Sequence, residues 1–108
     1  MKVELKRLHK DAVIPHHATS GSAGLDLTAV DIKFDSHFIE YKTGISVKIP
    51  DGYVGLLFQR SSVSKQPTGF ILRNAVGVLD SDYLGEITFR YYYPANFSIE
   101  NLGYTVGD

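Results

Sequence analysis

Apolar residues in this chain recur at every second position, and only in short runs. Val3 and Leu5 alternate with Glu4 and Lys6; Ile45, Val47 and Ile49 alternate with Ser46 and Lys48; Leu25 and Leu27 flank Asp26. A period of two places the apolar side chains on one face of an extended strand, whereas a helix needs spacings of three and four. The runs are cut by turn formers at Ser20-Gly21-Ser22, Pro50-Asp51-Gly52, Pro67-Thr68-Gly69 and Tyr83-Leu84-Gly85. One stretch, Ser61-Ser62-Val63-Ser64-Lys65, reads as a single helical turn. The expected fold class is therefore all-β with little helix: a sandwich, jelly roll or small distorted barrel.

With 108 residues the expectation is one domain, 1–108. So small a chain buries a modest fraction of its surface, and association would help it. Eleven basic and twelve acidic residues leave a net charge of −1, which gives no electrostatic footprint for a nucleic-acid polymer or an anionic membrane. A small phosphate-bearing ligand needs only local positive charge. The absence of cysteine excludes disulfides and thiolate metal sites. The charged, alternating start Met1-Lys2-Val3-Glu4-Leu5-Lys6 has no apolar run of signal-peptide type, and no segment approaches the roughly 18 apolar residues of a membrane span. The reading is a soluble cytoplasmic protein, or one of the host cytoplasm if viral. At the other end, Tyr104-Thr105-Val106-Gly107-Asp108 reads as a strand stopping at a turn, so either the chain is a fragment or a neighbouring subunit covers that edge.

Three segments can carry chemistry. Ser22-Ala23-Gly24-Leu25-Asp26-Leu27 runs a small-residue turn into a strand bearing one acid. Phe58-Gln59-Arg60-Ser61-Ser62 brings together an arginine fork, two hydroxyls and a potential helix start, the parts that bind phosphate oxygens. Val76-Gly77-Val78-Leu79 and Glu86-Ile87-Thr88-Phe89-Arg90-Tyr91 read as the two strands of a hairpin. Its loop, Asp80-Ser81-Asp82-Tyr83-Leu84-Gly85, offers an acid that could serve as general base. Taken singly, each has a commoner reading: a solvated strand acid, a serine-capped loop, a turn aspartate.

In this order and spacing the three resemble the first three signature motifs of the trimeric dUTPases. Ala23-Gly24-Leu25-Asp26-Leu27 has leucine where the family usually has an aromatic; Arg60-Ser61-Ser62 fits in a phage-like style; Gly77 to Glu86 matches the third motif with Leu79 for isoleucine, and Asn74 lies six positions before Asp80. The resemblance implies a β jelly roll, a homotrimer with sites between subunits, and hydrolysis of dUTP to dUMP and pyrophosphate. It implies that Arg60, Ser61 and Ser62 hold the phosphates, that Asp26 orients Mg²⁺ through a water, and that Asp80 activates the attacking water. Asn74, Val78, Leu79 and Thr88 would read the uracil edge, and Tyr83 would pack under the deoxyribose. The family's fourth motif begins Gly-Asp, where this sequence stops at Gly107-Asp108, and its fifth motif is absent. The expectation is a chain lacking the C-terminal strand and arm, with hydrolysis reduced.

Two other readings compete. Deoxycytidine triphosphate deaminase shares the fold and an Arg-Ser-Ser motif, but needs a glutamate where this chain has Arg90. A non-catalytic, dUTPase-like nucleotide-binding or regulatory protein is the second. His16-His17 would point to opposite faces of a strand and, with His9 and His37 scattered, makes a poor zinc site. Tyr91-Tyr92-Tyr93 reads as core and interface. Asn96-Phe97-Ser98 is a glycosylation sequon without a secretory signal, and Gly52, Gly55 and Gly69 read as turn and strand-bend glycines.

Overall fold

The computed structural model describes residues 2–61, 71–92 and 107. Among the described residues eight strands run in order: β1 (Glu4–Arg7), β2 (Asp31–Phe34), β3 (Ile39–Lys42), β4 (Ile45–Lys48), β5 (Gly55–Leu57), β6 (Ile71–Leu72), β7 (Gly77–Leu79) and β8 (Thr88–Tyr92). There is no α-helix among the described residues, in keeping with the all-β expectation. The helical turn expected over Ser61–Lys65 falls, apart from Ser61, outside the described residues, as do Gly69, Tyr93 and Asn96-Phe97-Ser98.

The strands form a four-stranded sheet in the order β2-β3-β8-β6 and two ribbons, β1-β4 and β5-β7, all antiparallel. Alternation along β3 and β8 decides which face of the large sheet is dry. Ile39 stands opposite Tyr91 and Tyr41 opposite Phe89; these side chains, with Ala29 and Leu72, build one apolar cluster. The Tyr41 and Tyr91 rings meet edge to face with centroids 5.7 Å apart, the arrangement their quadrupoles favour. The intervening row faces the other way. There Glu40 lies opposite Arg90, which donates Nε–H to its carboxylate at 2.6 Å, and the guanidiniums of Arg73 and Arg90 both lie over the Phe38 ring. A second cluster joins Ala12, Ile45, Leu79 and Ile87, and Phe89 packs against both clusters.

Three local expectations are corrected. Gly77–Leu79 and Thr88–Tyr92 are not partners: β7 pairs with β5, while β8 lies between β3 and β6. Capture by different neighbours explains this, since Ile87 donates to the Ile45 carbonyl and accepts from the Thr43 hydroxyl as the chain enters the large sheet. The 80–86 segment is thus a bridge between two sheets. Second, Leu25–Leu27 is no ladder strand; Asp26 makes one isolated antiparallel bridge to His16. Third, Gly55 lies within β5 opposite Leu79 rather than at a bend, whereas Gly52 does sit in the turn closed by the Tyr53 N–H on the Pro50 carbonyl.

Candidate functional site

The first site segment is a loop held shut by its own polar groups. Asp26 N–H donates to the His16 carbonyl at 2.8 Å, closing the base. Inside, the Ser22 hydroxyl accepts from Thr19 N–H, Ser22 N–H donates to the Thr19 carbonyl, and a His17 Nδ1 lies 3.0 Å from the Gly24 carbonyl, so that nitrogen carries the proton. His16 thus ties the loop through its backbone carbonyl and His17 through its ring. The loop delivers a half-buried Asp26 to a cavity of about 440 Å³.

Across that cavity stands the second segment. Chain leaving β5 passes Phe58 and Gln59 to Arg60, and the Gln59 side-chain carbonyl accepts from Leu72 N–H at 3.3 Å, tethering this stretch to β6. Ser22, Asp26, Thr43, Gln59 and Arg60 supply polar lining; Leu27, Ala29, Tyr41, Leu57, Phe89 and Tyr91 supply an apolar wall. Among the described residues no ion pair joins Asp26 to Arg60. An acid and a guanidinium that share a cavity without neutralising each other can serve a ligand carrying both phosphate and cation. Ser61 is exposed beside Arg60, and Ser62 lies outside the described residues.

The third segment does not enter this cavity: Asn74, Val78, Leu79, Asp80, Tyr83 and Thr88 are absent from its lining. The reason lies in the β5-β7 register. Gly55 faces Leu79 and Leu57 faces Gly77, so Asp80 departs where β5 begins, while Arg60 follows the end where β5 finishes. About 10 Å of paired strand separates the two departures. Asn74 precedes β7 in a turn where Ala75 takes φ 59°, a conformation that strains a residue with a Cβ. Leu79 is buried, Val78 is exposed opposite Leu56, and Thr88 opens β8 half-buried, facing Lys42. Asp80 and Tyr83 are both exposed.

Internal bonds shape the 80–86 segment. Tyr83 N–H donates to the Asp80 carbonyl at 3.1 Å, and the Tyr83 hydroxyl donates to the Glu86 carbonyl at 2.8 Å. The ring lies so close over Gly85 that a Cβ there would sit 2.7 Å from the hydroxyl. Sequence reasoning assigned no role to Glu86, Gln59, Tyr41 or Thr43. Glu86 stands inside the third motif, but a carboxylate that bonds to a backbone 42 residues away leaves no local signal. Arg90, the position where a deaminase needs a base, is an arginine paired to Glu40.

Comparison with known proteins places this geometry. The dUTPase family model matches residues 10–107. The chain is 39% identical over 114 residues to the deoxyuridine 5'-triphosphate nucleotidohydrolase of Anaplasma marginale, covering 100% of this chain and 75% of that protein. It is 38% identical over 90 residues to the enzyme of that name from Hydrogenobaculum, covering 81% of this chain and 62% of the relative. It thus spans less than two thirds of some of the curated relatives it matches. Among solved structures, a variant dUTPase of phage phi11 of S. aureus, described with a structural Mg(II) ion, superposes with a TM-score of 0.71 at 28% identity, over 85% of this chain and 60% of that one. The dUTPase of Staphylococcus bacteriophage 80alpha gives 0.72 at 30% identity, over 84% of this chain and 58% of that one.

Proposed function

The chain belongs to the dUTPase family, and from that premise we propose that it hydrolyses dUTP to dUMP and pyrophosphate at sites shared between copies of itself. One observation carries the shared site: Asp26 and Arg60 face one cavity, while Asp80 and Tyr83 stand exposed at the opposite end of the β5-β7 ribbon. Among the described residues the two halves do not share a cavity within one chain; between two copies they can. The ribbon's exposed Leu56 and Val78, at 52% and 58%, are the surface such an assembly would cover. A cyclic homotrimer, the expected assembly, would repeat the contact three times.

In this mechanism one copy's Arg60, Ser61 and Ser62 bind the triphosphate, Arg60 by paired charge-assisted bonds and the serines by O–H donors. Asp80 of another copy takes a proton from water as its oxygen bonds to the α-phosphorus; the bond from that phosphorus to the bridging oxygen breaks, and pyrophosphate leaves. Asn74 and the backbone at Val78, Leu79 and Thr88 bind the uracil edge. A polar edge matched by fixed donors and acceptors rejects cytosine, and a close wall rejects the methyl of thymine. Tyr83 lies under the deoxyribose, leaving no room for a 2′-hydroxyl.

Mg²⁺ fits the donor set. Among the described residues no three acids or histidines gather as a metal cage, and a single half-buried carboxylate, Asp26, faces the cavity with Arg60. That suits an ion which keeps its waters and is held chiefly by substrate phosphates. When bound it would offset phosphate charge.

A second reading has one observation in its favour, the likeness to the 80alpha dUTPase, described as controlling transfer of virulence genes: the nucleotide site would gate contact with a protein partner. Pyrophosphate release from dUTP with Mg²⁺, measured beside dCTP and dTTP and on Asp80→Asn, separates the two. Release from dUTP alone, lost in the variant, supports the hydrolase. Nucleotide binding without release favours the regulator.

A further inference from the structure

Resting on the hydrolase reading, we infer that Glu86 is a positioning residue, whose carboxylate fixes Asp80 and Tyr83 by anchoring the 80–86 segment to the β3–β4 turn. The segment leaves the β5-β7 ribbon and enters the four-stranded sheet, so no ladder between its own flanking strands sets its angle. Outside anchors must do so. The backbone of Ile87 supplies bonds to Thr43 and Ile45, and half-buried Glu86 adds the side-chain bond nearest the segment: Oε2 accepts from Gly44 N–H at 2.8 Å, across 42 residues of sequence.

The acceptor's target sits where only glycine fits. Gly44 is buried, with φ 67°, and a Cβ on it would lie 2.7 Å from the His9 Cβ. It lies between the β3 and β4 ladders, outside both, and leaving a buried N–H there unpaired is costly. A carboxylate makes the stronger, charge-assisted kind of bond there. The hold then passes inward. Glu86's carbonyl accepts the Tyr83 hydroxyl, and Tyr83 N–H bonds the Asp80 carbonyl. Gly44, Glu86, Tyr83 and Asp80 thus form one chain of bonds from the β3–β4 turn to the backbone of the proposed water-activating acid.

Three substitutions in the full chain test this, read by amide hydrogen exchange at Gly44 and residues 81–85 and by dUTP kinetics. Glu86→Gln keeps an oxygen in reach; Glu86→Asp withdraws it by one methylene; Glu86→Ala removes it. Glu86→Gln is expected to keep Gly44 protection and kcat within about fivefold of the unsubstituted chain. Glu86→Asp and Glu86→Ala are expected to lose Gly44 protection by about tenfold or more and to lower kcat by about 10- to 100-fold, with KM moving less, as misplacement of the base requires. Gly44 protection unchanged in Glu86→Ala, or lost with kcat intact, overturns the inference. If Glu86→Ala does not fold, the contrast between Asp and Gln decides. If the unsubstituted chain releases no pyrophosphate, the hydrolase reading fails, and protection at residues 81–85 alone upholds or overturns the anchor.

Discussion

The four-stranded sheet and the β5-β7 ribbon are built from the same kinds of residue, but the ladder pairs at their centres end differently. In the sheet, Ile39 is 0% exposed and Tyr41 and Tyr91 are buried against each other. In the ribbon, Leu56 and Val78 face each other across the ladder with more than half their surface in solvent. Strands of alternating pattern need a second layer on the apolar face. The sheet finds its layer within the chain. The ribbon, which separates the cavity from the 80–86 segment, packs Leu57 and Leu79 into the second cluster and leaves its other face, Leu56 and Val78, open. The difference teaches that folding and the proposed site assembly would draw on different surfaces: the sheet stabilises one copy, and the exposed face of the ribbon is the surface the proposal uses to join copies.

Substitutions can break this contrast. The largest effect is expected from Asp80→Asn, which should lower kcat for dUTP by about 10²- to 10⁴-fold with the melting temperature unchanged, because an exposed base serves chemistry rather than folding. Next, Ile39→Ala should cost about 2–4 kcal/mol in denaturant unfolding, a core cavity in the sheet. Its counterpart in the ribbon, Val78→Lys, should change unfolding of the single chain by only about 0.5 kcal/mol while reducing association in sedimentation and, with it, hydrolysis. Equal destabilisation by the two would erase the distinction. Smallest, Ala75→Gly should stabilise by about 0.5 kcal/mol, since relief of the left-handed conformation slightly exceeds the added freedom of the unfolded chain; a loss instead would show that the Ala75 methyl packs usefully.

Much of the candidate site could be proposed from residue order. The third motif, from Gly77 to Glu86, and the Arg60-Ser61-Ser62 run point to the chemistry proposed for them because loops carry function in local residue types. The alternating runs at Glu4–Arg7 and Ile45–Lys48 proved to be strands paired to each other. Pairing elsewhere was not legible. Period two says that Gly77–Leu79 and Thr88–Tyr92 are extended, but partner choice rests on long-range bonds such as Ile87 to Ile45 and Gly55 to Leu79. The same limit hid Glu86, whose partner Gly44 is remote in sequence, and the split of the site into two ends of a ribbon.

The shared site is tested most directly by complementation. Arg60→Ala damages only the cavity half and Asp80→Asn only the other, so each chain alone should be inactive. Unfolded together in equal amounts and refolded, they should recover about a quarter of the unsubstituted activity toward dUTP, because about one site in four of a randomly mixed ring draws both intact halves from different copies. No recovery, from variants shown to fold and associate, would place Arg60 and Asp80 of the same chain in one site and contradict the division of labour proposed for the ribbon.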